Sequence, residues 1–86
     1  MLTKETTVRQ IKINPEALRR KREDVGESQK TYALKLGVSL VTYQLWESGV
    51  CNPLWGKTIT PEAFSKCLGL SKREEQSILM VKINNL

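Results

Sequence analysis

The stretch GKT at residues 56–58 ends like a phosphate-binding loop, in which a glycine-lined backbone cradles phosphates ahead of a lysine. That loop needs another glycine five positions before Gly56, where Cys51 stands, and Pro53 removes an amide donor from the cradle. A nucleotide site is therefore rejected. The sequence has no histidine, the commonest general base and zinc ligand, and Cys51 and Cys67 lack metal-ligand company. Neither an enzyme nor a bound cofactor or metal is expected. Two isolated cysteines make a poor disulfide framework, so both read as reduced thiols.

The elements that would position any binding residues are marked by helix signals. Asn14, Pro15 and Glu16 form a helix start: Asn caps orphan amides, Pro fits the first turn and Glu suits the positive end of the dipole. This helix is expected to run to about Asp24, ended by Gly26. Ser28 caps a second helix through Leu36, and Gly37 breaks the run. Ser39 caps a third helix to Ser48, closed by Gly49. Thr60, Pro61 and Glu62 open a fourth to about Leu68, and Ser71 with Glu74 makes a capping box for a fifth that reaches the C-terminus. Ahead of them, residues 1–7 read as a mobile polar tail. Val8, Ile11 and Ile13 alternate imperfectly, as a short strand would, with residues 55–60 as a turn and extended segment to pair with it. The fold class is thus mostly α with five helices: residues 1–13 are tail and short strand, and residues 14–86 are the domain.

A helix-turn-helix needs a small residue where its helices cross, a permissive residue in the turn, and apolar residues that lock the second helix onto the first. Counting from Gln29, the chain supplies Ala33 at the crossing, Gly37 in the turn, and Tyr32, Leu36, Val38, Tyr43 and Trp46 as the inward set. The segment SQKTYALKLGVSLVTYQLWESG, preceded by LRRKRED and followed by CNP, resembles the Cro/repressor-type (XRE family) helix-turn-helix DNA-binding domain. The likeness spans roughly residues 18–53. It implies a repressor-like domain and a transcriptional regulator, a repressor of a phage, plasmid or other mobile element. The second motif helix would enter the major groove of double-stranded DNA, and a homodimer would read a palindromic operator. It further implies that Arg22 and Glu47 form a structural ion pair that aims an N–H group at a phosphate. Gln29, Ser39, Leu40, Val41, Gln44 and Leu45 fall at base-contact positions, and Ser28, Ser48, Asn52 and Lys57 at phosphate contacts.

The recognition helix departs from that pattern. Leu40, Val41 and Leu45 are aliphatic and can touch only thymine methyls, whereas Gln, Asn or Arg read base edges by paired hydrogen bonds. Specificity would then be modest or drawn from DNA shape. A second reading makes these three an apolar patch for a protein partner, as in an antitoxin-like or adaptor subunit. Glu27 also departs, standing where the family usually has an apolar residue plugging the corner between the first two helices; Val25 is the expected substitute. In the last helix, Leu79, Ile83 and Leu86 form a core stripe by their spacing. Ile78, Met80 and Val81 cannot share that face and read as dimer contacts.

Composition agrees with one soluble domain. The chain has 86 residues, 40% of them apolar and 27% charged, and a net charge of +5 that favours polyanionic partners. The start carries no apolar stretch for a signal peptide, and the longest aliphatic run, residues 78–81, is far below membrane-spanning length. A cytoplasmic location and no membrane partner are expected.

Overall fold

Every helix of the chain begins just after a side chain that accepts a hydrogen bond from its first turn. In the computed structural model, which describes residues 7–85, the order is β1 (Thr7–Ile13), α1 (Pro15–Asp24), α2 (Gln29–Leu36), α3 (Leu40–Glu47), α4 (Pro61–Leu68), α5 (Lys72–Ile78) and β2 (Leu79–Asn85). Asn14 Oδ1 accepts from the Ala17 amide at 3.3 Å, and the hydroxyls of Ser28, Ser39 and Thr60 accept from Thr31, Thr42 and Ala63 at 3.1 Å each. Ser71 and Glu74 complete the capping box in both directions. These caps satisfy amides that a helix cannot bond internally, so helix starts follow from local sequence.

The turn between α2 and α3 depends on Gly37, whose φ of 72° is left-handed. It lets the Val38 amide return to the Ala33 carbonyl at 3.0 Å and sends α3 across α2. The inward set then closes over the core. Tyr32, Ala33, Leu36, Tyr43 and Trp46 are buried, and Val38 packs against them half-buried. Tyr32 and Tyr43 meet edge-on with centroids 6.0 Å apart. Phe64 of α4 lies between Trp46, at 6.4 Å, and Trp55, at 5.8 Å. Leu18 of α1 and Ile78 of α5 complete the buried centre.

The C-terminal part differs from expectation. Instead of running to the C-terminus, α5 ends at Ile78, and β2 pairs antiparallel with β1 from Thr7↔Asn85 to Ile13↔Leu79. A helix would have to bury consecutive apolar residues on all sides, while a strand distributes them over two faces. Ile78 is only 1% exposed and belongs to the core, so it is not a surface dimer contact. Leu79 is buried as expected, but at the start of a strand beside Ile13 rather than on a helical stripe. Met80 is exposed; the side chains of Val81 and Ile83, and all of Leu86, lie outside what the structure describes. The expected strand over Val8 to Ile13 is present, with β2 as its partner rather than residues 55–60. That segment makes its own small bridge between Trp55 and Ile59. It reaches β1 through a side chain, with the Trp55 indole N–H donating to the Ile11 carbonyl at 2.8 Å.

Candidate nucleic-acid interface

The crossing of α2 and α3 leaves one side of α3 facing outward. Its apolar positions Tyr43 and Trp46 are turned into the core, so Leu40, Val41, Gln44 and Leu45 are exposed together. Val41 is 65% exposed, a large value for a β-branched aliphatic residue. The chain beyond α3 folds back: the amides of Val50 and Cys51 both donate to the Leu45 carbonyl, at 3.1 and 3.4 Å. In the loop that follows, Val50 and Leu54 are also exposed, at 71% and 65%. No basic residue occurs within α3; exposed Lys35 and Lys57 are the nearest in sequence on either side.

Behind this face, Glu47 is a hub. Arg22 of α1 grips its carboxylate with both prongs, Nε to Oε2 at 2.8 Å and Nη2 to Oε1 at 2.9 Å. The Tyr43 hydroxyl donates to Oε2, and Gln29 Nε2 donates to Oε1 at 2.9 Å. The Glu47 side chain is only 4% exposed and that of Arg22 13%. Burial pushes the Glu47 carboxyl up, but the hydrogen bonds from Arg22, Tyr43 and Gln29 together outweigh it and hold the group below the usual carboxylate range. Burial, then the bond to Glu47, raises the Tyr43 hydroxyl. The bond to Glu47 likewise raises Arg22 against its own burial.

No protein-family model, curated protein or solved structure matches this chain.

The hub reaches the exposed face through Gln29. Glu47 offers only acceptors, so Gln29 must turn its NH2 inward and its carbonyl outward. That carbonyl accepts from Gln44 Nε2 at 3.2 Å. Gln44 is thereby oriented at the surface, with its own carbonyl and one N–H pointing away from the pair. The Arg22–Glu47 pair expected from sequence is present; its connection to Tyr43 and Gln29 was not anticipated. The four-residue spacing of Tyr43 and Glu47 on one helix was the readable signal. The third guanidinium nitrogen, Nη1, donates to the Glu27 carbonyl at 3.0 Å. All three nitrogens of Arg22 are thus engaged inside the protein.

That last bond revises the corner between α1 and α2. Val25 is 47% exposed and plugs nothing. The corner is held through the Glu27 backbone by Arg22, while the Glu27 carboxylate pairs outside with Lys35 at 2.6 Å. An acidic residue is tolerated there because only its backbone faces inward.

Several of the expected phosphate contacts, and Ser39 among the expected base contacts, already have partners. The Ser48 hydroxyl donates to the Leu45 carbonyl at 3.1 Å and the Ser39 hydroxyl to Thr42 Oγ1 at 2.9 Å, so their single protons are in use. Ser28 is exposed at the start of α2, bonded to Thr31. Asn52 is exposed, yet its Oδ1 accepts from the Ile13 amide at 2.8 Å and fixes the end of β1; only its NH2 is left for a ligand. Lys57 is exposed.

Proposed function

We propose that the chain is a DNA-binding transcriptional regulator of the Cro/repressor (XRE) type, with α3 in the major groove and two copies on a palindromic operator. The hydrogen-bonded relay from Arg22 through Glu47 and Gln29 to Gln44 carries the reading. It links three helices to one exposed carboxamide, whose free carbonyl and N–H match the paired donor and acceptor of adenine in the major groove. Leu40, Val41 and Leu45 flank that carboxamide with surfaces suited to thymine methyls. The net charge of +5 supplies attraction to phosphates. Ser28, Lys57 and the NH2 of Asn52 are the contacts this reading assigns to the backbone, where they set register rather than sequence. Repression at a mobile element is the biological role proposed, in the cytoplasm and without a small-molecule cofactor.

A gel shift with genomic DNA fragments tests this reading, with a discrete, salt-sensitive complex expected. A second reading is favoured by one observation: exposed aliphatic residues continue beyond α3, at Val50 and Leu54, where base contact does not need them. It makes this face a protein-docking site in an antitoxin-like or adaptor subunit. Uracil in place of thymine separates the two, since it removes only the methyl. Under the DNA reading the substituted sites bind more weakly; under the other, uracil and thymine sites bind alike and Leu40→Ala abolishes a protein association.

A further inference from the structure

Of the described residues of α3, Leu40, Val41, Gln44 and Leu45 have exposed side chains, and Gln44 alone among them is polar. Leu40 and Val41 stand one turn before Gln44, and Leu45 stands one turn after Val41, so the carboxamide has an aliphatic surround. Its orientation is set from behind. Glu47 turns the Gln29 carbonyl outward, and that carbonyl holds one Gln44 N–H. Turning the Gln44 amide over would bring two carbonyl oxygens together, so one acceptor and one N–H are presented in a fixed order. Other polar means of reading a base pair are missing from this helix. α3 carries no Arg or Lys, the residues that grip the O6 and N7 acceptors of guanine, and the Ser39 proton is held by Thr42.

From this composition we infer that the α3 face responds to base methylation in the major groove, with opposite signs for cytosine and adenine. The inference rests on the DNA part of the proposed function. A 5-methylcytosine carries its methyl where thymine does. Leu40, Val41 and Leu45 can sense that methyl, but not the thymine oxygen or the cytosine amine beside it, because they have neither donor nor acceptor. A C·G pair in place of T·A then loses only the methyl contact, and 5-methylcytosine gives it back. N6-methyladenine acts the other way. Its remaining amino hydrogen is used in pairing with thymine, so the methyl takes the place of the N–H that faces the groove. The Gln44 carbonyl loses its donor, the methyl crowds N7 away from the Gln44 N–H, and the amide cannot turn over to compensate.

The main test places every change in the DNA and leaves the protein native. In the duplex selected by the native chain, thymines whose replacement by uracil weakens binding are changed to cytosine, with guanine opposite, and then to 5-methylcytosine. Fluorescence anisotropy is expected to show about a fourfold loss per cytosine, the worth of one buried methyl, and recovery to within about twofold on methylation. N6-methyladenine at the adenine read by Gln44 should weaken binding about tenfold or more, and Gln44→Ala should abolish that sensitivity. Val41→Ala should narrow the gap between cytosine and 5-methylcytosine. A selected site with no uracil-sensitive thymine, equal binding of cytosine and 5-methylcytosine, or a native chain indifferent to N6-methyladenine overturns the inference and leaves DNA binding standing. So does a methyladenine penalty that survives Gln44→Ala. A chain that binds no duplex at all overturns the proposed function as well.

Discussion

Replacing Arg22 by methionine keeps the bulk of the side chain and takes two of the four donors from a carboxylate that is only 4% exposed. Breaking a buried pair costs about 3–5 kcal/mol, and the lower end applies here because Tyr43 and Gln29 still bond Glu47. Glu47→Gln leaves the guanidinium, 13% exposed, with only neutral acceptors, the Glu27 carbonyl and the new amide oxygen, at a similar cost of about 3–4 kcal/mol. The double variant strands neither charge. It should lose about 3–4 kcal/mol rather than the 6–8 of simple addition, a coupling of roughly 3–4 kcal/mol. Small domains have about 5–15 kcal/mol in total, so the single variants need urea titration in the cold, read by Trp46 and Trp55 fluorescence. The coupling also has a sign in pH. The folded Glu47 carboxyl is held below its unfolded value, so its stabilisation is complete above about pH 4.3 and disappears as pH falls through the depressed folded value. Losses that add within about 0.5 kcal/mol at neutral pH, or a coupling that survives protonation of Glu47, would refute the hub.

Three further outcomes follow from single contacts. Gly49→Ala should lower stability by about 1–2 kcal/mol in a thermal melt, since φ is 83° and the new Cβ would stand 3.2 Å from Pro15 Cγ. Asn52→Ala should destabilise by about 1–2 kcal/mol through the orphaned Ile13 amide. If Asn52 is mainly structural, the salt slope of DNA binding should stay unchanged in that variant. With roughly 6 to 10 phosphate contacts, affinity for DNA should fall about a thousandfold or more between 50 and 200 mM salt; salt-insensitive binding would contradict the electrostatic part of the reading.

The helices were legible because their signals are local. Asn14, Ser28, Ser39, Thr60 and Ser71 each cap the helix read from them, and Gly37 makes the turn it was assigned. The ribbon was not, because β1 and β2 come from opposite ends of the chain and no local pattern names a partner so far away. The aliphatic residues after Ile78 fit a helix or a strand by composition, and only the pairing with β1 decides. In the candidate site, Arg22 and Glu47 came from resemblance, and the rest of the hub was hidden by role. Tyr43 was read as an apolar core residue, which it is, while its hydroxyl serves Glu47. Gln29 was read as facing outward, whereas one end of its amide faces inward to Glu47. Asn52 was read for its polarity and exposure, and its bond to β1 depends on a strand register invisible in the sequence.

DNA reading by α3 is tested most directly by selecting bound sequences from a random duplex pool, with the native chain and with Gln44→Ala side by side. The native chain should enrich a two-fold symmetric site with adenine and thymine at fixed positions in each half, about 10 base pairs apart centre to centre. Gln44→Ala should lose the preference at one adenine per half-site, by about 1–3 kcal/mol, and keep the rest. A pool that stays random after selection, or an identical site from both proteins, would contradict the role given to α3 and to the relay behind it.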